Sequence, residues 1–447
     1  MRQAGLGIVL VVSVPLWPQV SMAQDTAAPA TTSETSMQVP PTVSGAAYPT
    51  TYAAEERSNY LRGGLTFTTA YSDNVFVSAT GHPLSDVTYS IFPSIALDQT
   101  TSRLHWDLSY APGYTFYQRF SSGDQDNQNV SINFRYRLSP HVTLSLGDTF
   151  QKSSSLLDQP GLPSGVVIGS AQGIAVGVIA PLADQLTNRG NAEVTYQFSA
   201  DDMIGASGTF TNLHFSNSAQ VPGLSDSSSQ GGSAFFNHRL SRRHYLGATY
   251  QYQRIAANGA QSITQIVGQS VTQTNAVMLF YTVYLQPKLS LSVSGGPQHS
   301  NVDQFPLPSA KSWSPAVTAS MGWQAHHTSL AASYSRIVSG GGGLTGAFHS
   351  NTANLSVRQQ LSRNWNAQVV GAYTINKTVT PFFFFPGGHS VSGSATVQRK
   401  LGQHLNAEAG YTRLHQSYSD IAVISTAPDT NREWLSISYQ FARPLGR

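Results

Sequence analysis

The residues best suited to handling a solute are polar side chains that alternate with apolar ones along extended runs. Between Val130, Ile132, Phe134 and Tyr136 stand Ser131, Asn133, Arg135 and Arg137. The same parity groups Asn237 with Arg239, Thr249 with Gln251 and Gln253, and Asn354 and Ser356 with Arg358 and Gln360. Successive side chains of an extended chain point to opposite faces, so each set shares one face. Such a wall is rich in amides and hydroxyls that both donate and accept hydrogen bonds, with scattered arginines to attract anions. That chemistry suits reversible contact with neutral or weakly anionic polar solutes, sugars included.

Covalent chemistry finds less support. The chain has no cysteine, which excludes disulfides, thiolate nucleophiles, Cys-based zinc sites and a lipid anchor on an N-terminal Cys. It has no H-E-x-x-H, no phosphate-binding G-x-x-x-x-G-K-[ST] and no G-x-S-x-G. The glycine run Gly340 to Gly343 has no following lysine and reads as a flexible loop tip. His326 and His327 are adjacent rather than spaced to share one metal ion, and they fall in a short turn. The expectation is no catalytic residue, no metal site and no cofactor. One other group stands out, the four aromatics Phe382, Phe383, Phe384 and Phe385 between Pro381 and Pro386. Exposed aromatics in a loop mark either a contact surface, for lipopolysaccharide or a partner, or packing between neighbouring loops.

The elements that position these residues follow from the pattern of the whole chain. Only 11% of the 447 residues are charged, 10% are aromatic, and the mean hydropathy is −0.17. Soluble domains carry about a quarter charged residues. Low charge with many aromatics and near-neutral hydropathy fits strands with one lipid-facing and one water-facing side. The net charge of +3 gives no basis for binding nucleic acid. Arg2, the apolar stretch Leu6 to Trp17 and the small-x-small site Ser21-Met22-Ala23 read as a signal peptide over residues 1–23. Residues 24–60, rich in Ala, Thr, Ser and Pro, read as a flexible periplasmic linker. Residues 61–447 are left for a barrel.

Short polar connections recur at Gln99 to Ser102, Ser139 to His141, Ala200 to Asp202, Ser241 to Arg243, Gln286 to Lys288, Ala325 to His327, Ser362 to Asn364 and Gly402 to His404. Each joins two runs of roughly ten residues, the length of a tilted membrane strand. The complementary connections are longer and rich in Gly, Ser, Asn and Pro, as at Ser339 to Ser350 and Lys377 to His389. The longest, Ser153 to Thr187, contains an apolar stretch from Gly165 to Ala183, which suits either an in-folded constriction or an extracellular flap. With one strand near Gly64 to Tyr71 and a last one over Glu433 to Phe441, the count is about eighteen strands, with sixteen as the alternative. The expected fold is an all-β, antiparallel, up-and-down transmembrane β-barrel. An even count places both termini and the short turns on the periplasmic side and the long loops outside.

The region from about Tyr60 to Phe441 resembles the β-barrel porin 2 family. The resemblance is carried by AYSDNVF (Ala70 to Phe76), FFNHRLSRRHYLGATYQYQR (Phe235 to Arg254) and the tail WLSISYQF (Trp434 to Phe441). It implies an outer-membrane pore, porin-like or export-associated and often linked to exopolysaccharide systems. The amphipathic last strand also looks like the signal by which the barrel-assembly machinery recognises its clients, although six residues follow Phe441. The expected function is therefore a channel in the outer membrane of the Gram-negative cell envelope, reached by signal-peptide-directed export. Its expected partners are outer-membrane lipid and lipopolysaccharide, the assembly machinery, and polysaccharide or small polar solutes. Two other readings stay open: a structural or adhesive barrel without an open channel, and an outer-membrane lipid hydrolase.

Overall fold

In lipid every backbone N–H and C=O must be satisfied by another strand, and only a closed sheet achieves this. The computed structural model describes residues 59–75, 83–153, 184–216, 224–258, 261–262, 265–266, 269–286, 288–304, 308–341, 344–379, 387–418 and 429–445. The segments read as signal peptide and linker, most of Ser153 to Thr187, and Phe382 to Phe385 lie outside the described residues.

The strands are β1 (Asn59–Ser72), β2 (Asp86–Thr100), β3 (Leu104–Tyr117), β4 (Gln125–Arg137), β5 (Val142–Ser153), β6 (Gln185–Gln197), β7 (Asp202–Phe215), β8 (Ser227–Ser241) and β9 (His244–Ala257). They continue with the two-residue β10 (Gln261–Ser262) and β11 (Gln265–Ile266), then β12 (Ser270–Gln286), β13 (Leu289–Gln304) and β14 (Ala310–Gln324). The last are β15 (Thr328–Gly341), β16 (Leu344–Gln360), β17 (Trp365–Thr378), β18 (Gly387–Lys400), β19 (Leu405–Tyr418) and β20 (Thr430–Pro444). All but β10 and β11, which form their own ribbon, belong to one 18-stranded antiparallel sheet. β1 pairs with both β2 and β20, with Phe67 opposite Ile91 on one side and Ile437 on the other. The sheet is thus a closed up-and-down barrel of eighteen strands.

All eight short turns fall where the sequence places them. Several are built the same way. The Ser139 hydroxyl accepts from the Val142 amide at 3.1 Å, and Thr101 does the same for Leu104 at 3.0 Å. Ser199 caps Asp201 and Ser241 caps Arg243. A hydroxyl that mimics a backbone acceptor fixes a tight reversal where no room exists for a loop. One long connection differs from expectation. Ser339 to Ser350 is not a loop, because β15 runs on to Gly341 and β16 begins at Leu344.

The outer face is apolar. Leu279 is 66% exposed, and Val277, Val293, Val369, Leu435 and Phe67 stand on the same face. In water this exposure would be unfavourable; in a bilayer these side chains meet acyl chains. The band is bounded toward the long loops by a repeated device. The hydroxyl of Tyr110 donates to Gln128 Oε1 at 2.7 Å, and those of Tyr250, Tyr334 and Tyr411 donate to Asn275, Asn351 and Asn431 on the next strand. Toward the short turns stand Trp106, whose indole donates to Gln99 at 3.0 Å, and Trp365, stacked under Arg399. Rings with one polar edge prefer the two boundaries of a membrane.

Candidate functional site: the inner wall and its in-folded hairpin

Asn133, Arg135, Arg137, Asn237, Arg239, Gln251, Gln253, Arg358 and Gln360 all sit at positions opposite in parity to the exposed apolar band. The structure places them on the inner face, but at different heights and in different settings. Asn237 is fully buried, on rungs with Met203 and Gly247. It adjoins the Met203–Tyr245 cluster, against which Phe235 and Tyr284 pack. Gln253 donates to Ser229 at 2.9 Å, and Arg239 pairs with Asp201 at 2.8 Å.

The inner face carries many small hydroxyls, and several of them bond to each other across strands. Ser109 meets Ser131 at 2.7 Å, Ser207 meets Ser233 at 2.8 Å, Thr282 meets Ser292 at 2.8 Å and Ser294 meets Thr318 at 2.7 Å. Each pair satisfies its polar atoms along the wall, so the side chains lie flat instead of reaching inward. Eighteen strands give a circumference wide enough for an aqueous passage.

Charge on this wall is sorted by side. β1 to β6 carry Arg62, Asp98, His105, Asp107, Arg135, Arg137, Arg189 and Glu193 on their inner face. Arg62 pairs with Asp98 at 3.6 Å, and Asn133 donates to Asp107 at 3.0 Å. β12 to β17 occupy the opposite arc in the strand order, and there the inner face carries one charged side chain, Arg358. Arg62 and Asp98 are far apart in sequence, and the ladder between β1 and β2 makes them neighbours.

Among the described residues, one element reaches in from the wall. The described end of the β15–β16 hairpin comes close to β9, β12 and β13, where Gly340 lies against Ile255. Beside it Ile255 and Val302 are buried, although they belong to the inner face. Glycines carry no side chain to obstruct this approach. A chain of buried polar contacts pins the hairpin's base: Ser339 to Ser350 at 2.6 Å, Ser350 to Asn376 at 2.6 Å, and Asn376 to the Tyr418 hydroxyl at 3.4 Å. An inward-reaching element is thus found in another connection, while residues 154–183, the stretch of Ser153 to Thr187 read as constriction or flap, lie outside the described ones.

No group of three or more metal-ligating side chains occurs among the described residues. Three His–Asp pairs do occur: His214–Asp226, His238–Asp202 and His415–Asp429 at 2.6 to 2.7 Å. Among the described residues no serine hydroxyl meets the far ring nitrogen of any of them, the arrangement an activated nucleophile needs. His326 and His327 lie in the β14–β15 turn, with His327 directed to Gln360 at 3.5 Å.

Neither a family model nor a curated relative matches the chain. Solved structures with a similar course are bacterial barrels. OccK2 (OpdF) of Pseudomonas aeruginosa is 11% identical over 86% of this chain and 98% of that one, with a TM-score of 0.43. OpdK of the same organism, solved with vanillate, is 10% identical over 86% and 99%, with a TM-score of 0.42. The FrpB iron transporter of Neisseria meningitidis is 11% identical over 86% and 69%, with a TM-score of 0.45.

Proposed function

We propose that this protein is an outer-membrane channel for small polar solutes, neutral or weakly anionic, with sugars as the best-fitting class. One observation carries the reading: a closed eighteen-stranded barrel whose outer face is apolar and whose inner face is largely polar, with hydroxyls paired across strands. The apolar belt fits only a membrane, and closed barrels of this kind belong to the outer membrane. Export under a signal peptide over residues 1–23 accords with that location. The charged arc of β1 to β6 facing the hydroxyl arc of β12 to β17 would orient a dipolar solute across the passage. The resemblance to the β-barrel porin 2 family supports a place beside an exopolysaccharide system.

The test is ion selectivity. Arg135 and Arg137 are both exposed on the inner face. Replacing both, as Arg135→Glu with Arg137→Glu, changes the local charge by four and should shift the zero-current potential under a salt gradient toward cations. An unchanged potential removes these residues from the conducting path and with them the axial-channel reading.

A further inference from the structure

The shortest ladder of the barrel wall is the β14–β15 seam. β13–β14 and β15–β16 are each joined through fourteen residue pairs. β14–β15 is joined through eight and stops at Val317 opposite Arg336. The residues that would continue it, Pro315, Ser314 and Trp313 on β14 and Val338, Ser339 and Gly340 on β15, are all described. The reason lies in Pro315. The Gln324 amide donates to Lys288, so even-numbered amides of β14 face β13 and odd-numbered ones face β15. Pro315 therefore occupies a rung that requires an N–H it lacks. The amide of Val338, its would-be partner, donates instead to the Gln298 side chain of β13 at 3.1 Å.

Above that rung the wall laps over itself. Val338 points outward from β15 and Val302 points inward from β13, and the two pack together with Ala347 and Val379. The seam is closed by side chains, whereas its neighbours are closed by backbone ladders. Such contacts part at far lower cost than a run of backbone hydrogen bonds in lipid. On the outer face beside the seam stand Arg336, on the last rung, and His349, which lies opposite both Val338 and Lys377. No carboxylate pairs with any of these three among the described residues. The adjoining stretches 305–309, 342–345 and 379–386 contain no Asp or Glu. The two cations, Arg336 and Lys377, flank the His349 imidazole with no acid between them, and an anion shared between them would offset their repulsion.

We propose that the upper β14–β15 seam is a lateral gate between the barrel interior and the outer leaflet, and that it admits a lipid with a phosphate head group, held at Arg336, His349 and Lys377. An acyl tail fits the Val302–Val338 lap, and the phosphate fits the basic cluster outside it. The gate does not depend on axial conduction and can be tested apart from it.

The chain lacks cysteine, so Val302→Cys with Val338→Cys creates a single disulfide that locks the seam. The probe is fluorescent lysophosphatidic acid in the outer leaflet of vesicles bearing the protein, with albumin trapped inside as acceptor. The reduced variant should transfer it, the oxidised variant should fall to the rate of protein-free vesicles, and dithiothreitol should restore transfer. Inorganic phosphate flux and channel conductance should be the same in both forms. Arg336→Gln with Lys377→Gln should slow lysophosphatidic acid while sparing an uncharged monoacylglycerol. Failure of the disulfide to form contradicts the lap. Equal transfer by locked and reduced protein overturns the gate, loss of inorganic phosphate flux on locking overturns the lipid as ligand, and equal slowing of both lipids overturns the head-group site.

Discussion

Replacing Gly340 to Ala347 with a two-residue turn should raise single-channel conductance several-fold. Gly340 of the β15–β16 hairpin lies against Ile255, and Ala347 packs with Val302, on the facing part of the inner wall. Removing this end returns these positions to water and widens the passage at that height. The barrel itself should survive. Below the cut β15 and β16 keep their pairing from Thr328–Gln359 up to Ser339–Phe348, and the Ser339–Ser350–Asn376 contacts remain. The check is paired: conductance in a planar bilayer, and the heat-dependent shift of the folded band on a gel. A normal folded band with unchanged conductance would show that the hairpin does not restrict the path.

The second large effect concerns the outer face. Leu279→Arg should cost about 2–4 kcal/mol of stability, as expected for an arginine near the midplane on the lipid side of a barrel strand. Leu279 is 66% exposed and flanked along β12 by Val277 and Tyr281, so no neighbouring acid is available to it. Thr249→Arg is the control. Thr249 lies opposite Met278, one residue from Leu279, but on the inner face. There the guanidinium meets water, and the change in stability should be small. Urea-driven unfolding from vesicles measures both. Equal costs would mean that the assignment of faces along β9 and β12 is wrong.

Local pattern made much of the fold legible. Period-two alternation fixed the faces of β4, β9, β12 and β16, because one residue in two must meet lipid. The short turns were legible because serine and threonine close them through their own hydroxyls, a strictly local device. What escaped was long-range. The glycine run at Gly340 to Gly343 has no alternation to read, so the strand that continues into it as far as Gly341 looks like loop. Nothing local reveals that its tip reaches Ile255, four strands away in the sheet. Asn237 obeys the parity rule, yet it is buried beside inward-turned aromatics that the alternation does not foretell. The one signal for the seam was Pro315, with Pro297 on the facing rung, since prolines inside strands mark places where a ladder fails.

The direct measure of the central claim is the current through a planar bilayer carrying purified, refolded full-length protein. A water-filled passage bounded by eighteen strands predicts discrete, ohmic steps whose size grows with salt concentration. A silent bilayer from protein that shows the heat-shifted folded band would contradict the channel and leave a barrel built for display or support.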